Sequence, residues 1–138
     1  MVRHGIAVLA LAALGLLPPG AAAALSVVGA YSNVGYTVRT VGEPAGLGRT
    51  SINRLMPWLY LLEAGTYEWG RERGTYQVRD DELRLSGSYR AWGPGKIDAD
   101  RRITFTFRKP DAAGRLQEFI VVMGYRGALT DYPPPSRR

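Results

Sequence analysis

The sequence predicts an all-β protein. It reads as a single antiparallel meander of eight or nine short strands, closed into a small barrel (a β-sandwich is the alternative), after an N-terminal signal peptide. Three observations carry this reading. Apolar and polar residues alternate over short runs, the two-residue period of a strand with one buried face. Turn signals interrupt those runs at short intervals, and few stretches sustain the 3.6-residue period of a helix. Beyond residue 24 the chain holds all 14 aromatic residues, together with 14 glycines and seven prolines in 114 positions. A meander of that size has two open edges to satisfy, and closure removes both.

The elements follow in order. Arg3, the uncharged 13-residue run Gly5–Leu17, the Pro18-Pro19-Gly20 break and the small residues Ala21–Ala24 make the basic, apolar and small-residue regions of a secretory signal. The apolar run is short of the roughly 20 residues that span a bilayer, so cleavage near Ala23 or Ala24 is expected and no stable membrane span remains. The destination is the periplasm or the medium. Leu25–Tyr31 and Val34–Val41 are strands, with Ser32-Asn33 a turn or bulge between them. Gly42–Arg49 (GEPAGLGR) is loop. Thr50–Met56 makes one helical turn, capped by Thr50 or Ser51 and stopped by Pro57. Trp58–Glu63 (WLYLLE) is a strand buried on both faces.

Gly65-Thr66-Tyr67, Gly74-Thr75-Tyr76 and Gly87-Ser88-Tyr89 each begin a strand after a turn, glycine giving freedom where the chain reverses. Asp80-Asp81 turns Tyr76–Arg79 into Glu82–Ser86, whose Leu83 and Leu85 face inward. Trp92-Gly93-Pro94-Gly95 reverses the chain again. Arg101–Arg108 puts Ile103, Phe105 and Phe107 on one face, and Lys109–Arg115 is loop. Leu116–Tyr125, through FIVVM, is a central or closing strand. The β domain therefore covers residues 25–127, and residues 128–138 form a flexible Pro/Arg tail.

Composition excludes much chemistry. The chain has no Cys, and its one histidine, His4, lies in the signal segment. Ser-His-Asp and Cys-His nucleophiles, ordinary zinc sites and haem or iron–sulfur ligation are therefore out of reach. No catalytic residue set, metal site or cofactor is assigned, and the protein is read as not an enzyme. The carboxylates offer only Glu68 with Glu72 about the Gly70 turn, Asp98 with Asp100, and the Asp80-Asp81-Glu82 tip. Each reads more economically as a solvated turn. Net charge is +6, and 16 of the 18 basic residues are arginines scattered along strands. Nucleic-acid binding needs a clustered basic patch, so no nucleic-acid partner is expected.

The aromatic residues are the candidate site. Trp58, Tyr67, Trp69, Tyr76, Tyr89 and Trp92 lie in the central meander. Such rings fill the cores of small β domains, and they also line cavities and stacking surfaces. Trp69 and Trp92 adjoin Gly70 and Gly93 at strand ends, where a barrel mouth would lie.

The spaced Gly-Thr-Tyr and Gly-Ser-Tyr tripeptides within Ala64–Tyr125 resemble a pattern of small exported bacterial β domains. In these a Gly-x-Tyr strand start recurs along a lipocalin-like or streptavidin-like meander. The resemblance implies a fold and no activity. Ser86-Gly87-Ser88-Tyr89 is also similar to the Ser-Gly…Tyr loop of periplasmic C-type lysozyme inhibitors. Those inhibitors carry a disulfide and one more residue before the tyrosine. This chain has neither, and the inhibitory function is not transferred. The expectation is an exported, periplasmic or secreted, non-catalytic barrel that binds a small hydrophobic or amphipathic ligand. A cell-envelope interaction or inhibitor protein acting through its outer surface is the alternative. Oligomeric state is left open.

Overall fold

Residues Gly29–Thr40 form one long strand, β1, that runs straight through the Ser32-Asn33 break. A computed structural model describes residues 27–44 and 49–138 of the chain. The signal peptide read over residues 1–24 and the loop tip at 45–48 lie outside the described residues. The break is a bulge: the register of β1 shifts between Asn33 and Gly35 while pairing continues on both sides.

Both edges of β1 are used along its length. On one side its start pairs with β3 (Leu59–Leu61, Ala30 opposite Tyr60), and its second half pairs with β2 (Arg49–Ser51, Tyr36 opposite Ser51). On the other side it pairs with β9 (Leu116–Gly127), from Ala30 opposite Gly127 to Thr40 opposite Gln117. Between β3 and β9 run β4 (Thr66–Trp69), β5 (Glu72–Arg79), β6 (Glu82–Leu85), β7 (Gly95–Ile97) and β8 (Ile103–Pro110). Each is antiparallel to the next. The β1–β9 pairing closes the meander into an eight-stranded barrel, with β2 as an added short strand. The sandwich alternative is set aside.

The expected alternation places the core inside. Ile103 and Phe105 of β8, Val121 and Met123 of β9, and Leu59 and Leu61 of β3 have no solvent exposure. Arg73, Thr75 and Gln77 of β5, Arg84 of β6, and Thr106 and Arg108 of β8 are exposed. Apolar inside and polar outside is the reverse of a barrel whose wall meets lipid. No helix among the described residues is long and apolar enough to cross a membrane.

Four sequence expectations are corrected. Gly87-Ser88-Tyr89 does not begin a strand; it opens a 3-10 helix, Gly87–Trp92. Gly74 does not sit at a turn but in the middle of β5, directly opposite Tyr67. A β carbon there would lie 2.8 Å from the Tyr67 ring, so glycine makes room for the tyrosine rather than for a reversal. The helical turn expected over Thr50–Met56 is instead the end of β2 followed by irregular turns. Asn53 side-chain and backbone oxygens take the N–H groups of Leu55 and Met56, a local turn that competes with helix. The 128–138 segment, read from the sequence as a flexible tail, packs on the outer wall of the barrel. Leu129 is buried against Ala30 and Tyr60, and Pro134 is fully buried.

Candidate functional site

The barrel places five of the six predicted aromatic residues in its lumen. Trp69, at the end of β4, is 1% exposed. The 3-10 helix folds over it, so that Tyr89 stacks on the Trp69 ring at 4.2 Å and Trp92 meets both rings edge-on. Trp92 then stacks on Phe107 at 4.4 Å, and Phe107 on Phe119 at 5.1 Å. These rings plug one end of the barrel. Tyr67 and Tyr76 complete the filling from β4 and β5. Their polar atoms are satisfied by backbone carbonyls. Tyr67 donates to Ser86 O at 2.7 Å, Tyr76 to Leu62 O at 2.7 Å, and the Trp69 indole to Pro57 O at 2.9 Å. Burial pushes the Tyr67 hydroxyl up to about 12, and holds Tyr31, Tyr76 and Tyr89 above the ordinary range as well. Buried tyrosines bonded in this way act as structural rings.

Trp58 stands apart. Just ahead of β3, it faces the outer wall beside Tyr60, because alternation sends Leu59 and Leu61 inward. Tyr132 of the C-terminal segment packs on Trp58 at 5.4 Å, and Trp58 lies 6.4 Å from Tyr60. Together with Pro57, Glu68 and Arg138 these rings line an open cleft of about 510 Å³. Tyr60 belongs to the aromatic set of the central meander but not to the six predicted site residues, and Tyr132 and Arg138 lie outside both. The alternation in WLYLLE was the available signal for Tyr60, since Trp58 and Tyr60 must share a face. Nothing local could have found Tyr132 or Arg138.

The cleft wall is held by polar contacts of the C-terminal segment. Glu68, 5% exposed, accepts the backbone N–H of Ser136 at 3.1 Å and also the Ser136 hydroxyl. Arg137 donates to both oxygens of Glu63, at 3.1 and 2.6 Å, and this holds the Glu63 carboxyl down to about 2. Arg138 donates to the Tyr60 hydroxyl at 2.9 Å and to Pro133 O at 3.0 Å.

Glu72, Glu118 and Asp98 are occupied by architecture. Glu72 sits opposite Trp69 and so shares its inward face, while Glu68 points out. The two carboxylates do not face each other. Glu72 accepts the Ser88 backbone N–H at 2.8 Å and the Ser88 hydroxyl, hydrogen bonds that hold its carboxyl below the usual range. Glu118, buried on β9, is bound by Arg39 of β1 and Arg108 of β8 across the closing seam. These hydrogen bonds hold its carboxyl low. Asp98 takes the N–H groups of Asp100 and Arg102 and the Arg102 guanidinium, each at 2.9 Å. Among the described residues no cluster of three or more His, Cys, Asp or Glu is placed to hold a metal ion. What the molecule offers a ligand is the outer cleft: aromatic faces, one guanidinium, the buried Glu68 and the exposed Asp131. Compared with known proteins, the chain matches no family model, no curated protein and no solved structure.

Proposed function

We propose that the protein is an exported, non-catalytic binding module that takes a small amphipathic ligand in the outer cleft, not in the lumen. The observation that carries the reading is the pairing of Trp58 and Tyr132 across an open recess of about 510 Å³, with Tyr60 beside them. That volume lies within the range of small-molecule sites, which combine apolar walls with a few polar groups. The ligand's apolar face stacks on Trp58 and Tyr132, and its polar edge meets Arg138. The lumen is a poor competitor, because Tyr31, Tyr67, Trp69 and Phe105 fill it and are 1% exposed or less. Export rests on the order of charge, apolar run and small residues over positions 1–24.

The test is a titration with octyl glucoside below its micelle concentration, followed by NMR at the three tryptophan indole N–H groups. Saturable movement of the Trp58 resonance, abolished by Tyr132→Ala with circular dichroism unchanged, supports the cleft. Movement confined to Trp69 and Trp92 would return the site to the lumen and overturn the reading. So would a response that never saturates.

A further inference from the structure

The loop that follows β2 presents the most exposed large apolar residues of the described chain. Leu55 is 94% exposed and Ile52 56%. The loop is anchored rather than frayed. Buried Asn33, in the bulge of β1, accepts the Asn53 N–H at 2.8 Å, while its amide donates to Gly35 O and Val122 O at 2.9 and 3.2 Å. Asn53 in turn accepts the N–H of Leu55 at 3.1 Å, and Met56 packs toward the core. The apolar tip is therefore held out by a fixed turn.

Charge surrounds this tip on one sign only. Arg54, between the two apolar residues, is exposed and has no ion-pair partner among the described residues. Arg126 is exposed too and, among the described residues, is bonded only to the Ser32 hydroxyl, at 2.5 Å. The two arginines line a recess of about 320 Å³ with Ile52, Met56 and Trp58, and no acid lines it.

We infer that the Ile52–Met56 loop docks the protein on an anionic lipid surface. Leu55 and Ile52 enter the boundary between headgroups and acyl chains, and Arg54 and Arg126 meet lipid phosphates. Two apolar side chains are too little for a stable protein interface, which buries about 800 Å² per partner. They suffice for a peripheral membrane contact, where a small apolar insertion adds to charge attraction. Trp58, half-buried behind the loop, is a residue that favours the headgroup level. The inference does not rest on the cleft reading, although Trp58 borders both recesses.

The experiment uses the full chain and vesicles of phosphatidylcholine with or without one quarter phosphatidylglycerol. Leu55→Cys carrying an environment-sensitive fluorophore is the reporter, because the chain has no other cysteine and the label's emission answers for the loop alone. The expected result is a blue shift on phosphatidylglycerol vesicles and none on pure phosphatidylcholine. Arg54→Gln with Arg126→Gln in that background should weaken partitioning roughly 25-fold at low salt, about fivefold per charge. Arg54→Gln should leave the melting temperature unchanged, and Arg126→Gln should lower it only slightly through loss of the Ser32 hydrogen bond. No shift on anionic vesicles overturns the proposal, even if cross-linking through the loop captures a soluble protein. Equal shifts on both vesicle types, or partitioning indifferent to the two arginines, also overturn it.

Discussion

Glu68 and Ser136 are joined by two hydrogen bonds, the carboxylate accepting both the backbone N–H and the hydroxyl of a residue 68 positions further along the chain. Glu72 holds Ser88 in the same way from the other face of the β4–β5 hairpin. Two acids that resemble a catalytic pair in the sequence are thus paired clamps. One fixes the C-terminal segment to the outside, and the other fixes the 3-10 helix over the lumen.

Ser136→Ala should loosen the outer clamp without opening the barrel. Losing one hydrogen bond to a buried carboxylate costs about 1 kcal/mol or more. Amide exchange over residues 128–138 should accelerate roughly fivefold or more, while β8 and β9 keep their protection. Exchange mass spectrometry distinguishes this local opening from global destabilisation, which would speed every strand alike.

Trp69 and Trp58 should separate in stability measurements. Trp69→Ala removes a ring that touches Tyr89, Trp92 and Phe105 in a filled lumen, and should cost about 3–5 kcal/mol. Trp58→Ala removes a half-buried ring on the outer wall and should cost less than about 2 kcal/mol. Chemical denaturation midpoints give the comparison, and similar losses would contradict a filled lumen.

Much of this was legible in the sequence, for physical reasons that differ by element. Ile103, Phe105 and Phe107 announce β8 because a strand with one buried face must alternate. WLYLLE announces a doubly covered strand, and Leu59 and Leu61 do face the lumen while Tyr60 lies under the C-terminal segment. Gly87-Ser88-Tyr89 misleads because it copies the local pattern of Gly65-Thr66-Tyr67. Only the Glu72 carboxylate and the Trp69 ring, brought up by the hairpin, turn it into a 3-10 helix. The aromatic cluster was visible as a set, but its division was not. Trp58 is separated from Trp69 by which side of the wall it faces, and the second half of the outer cleft arrives from residues near position 132. The docking of Ser136 depends on a partner no local window contains.

Alkaline pH should unfold the barrel in step with tyrosine ionisation. Tyr67 is raised to about 12, mainly by burial and then by the Glu72 charge, and Tyr31, Tyr76 and Tyr89 are raised too. An unfolded tyrosine titrates near 10. A raised folded value gives stability that is complete below about pH 10 and is lost as pH climbs through the folded value. Absorbance at 295 nm and circular dichroism should therefore change together between about pH 10 and 12. Ionisation completed near pH 10 with the fold intact would contradict the burial.

On the acid side, the Glu63–Arg137 pair sets a weaker dependence. The guanidinium hydrogen bonds hold Glu63 down to about 2. Its contribution is present above the ordinary carboxylate range and fades as pH falls toward 2. Both side chains are about half exposed, so screening limits the effect to below about 1 kcal/mol. Glu63→Gln should flatten stability between pH 5 and 2 by that amount at low salt (about 1 kcal/mol at most), and by less in 0.5 M salt.

Two hairpin turns are built alike and should respond unequally to substitution. Asp98 caps residues up to Arg102 with the same bonds by which Asp111 caps residues up to Arg115. The fourth position of each is left-handed: Arg101 at φ 60° and Gly114 at φ 80°. Gly114→Ala, in open space, should cost about 1 kcal/mol from strain alone. Arg101→Gly relieves a similar strain but loses a guanidinium 4.5 Å from the Tyr125 ring, so its net change should be within about 0.5 kcal/mol of zero. Thermal unfolding of the two variants gives the contrast, and equal losses would show that the turns are not equivalent.

The β1–β9 seam has a consequence for how the molecule is made. Its pairs join residues such as Thr37 with Ile120 and Ala30 with Gly127, the first and last strands of the barrel. Nearly the whole intervening chain must be looped before the seam returns any free energy, so it carries a large closure entropy. Until β9 has left the ribosome, β1 has no partner on that edge, and the hairpins from β4 to β8 can only form an open, edge-bearing sheet. Such a high-contact-order topology folds slowly, and its barrel closes only once the last strand is available. On the export proposed above, that delay keeps the chain threadable until its last strand exists.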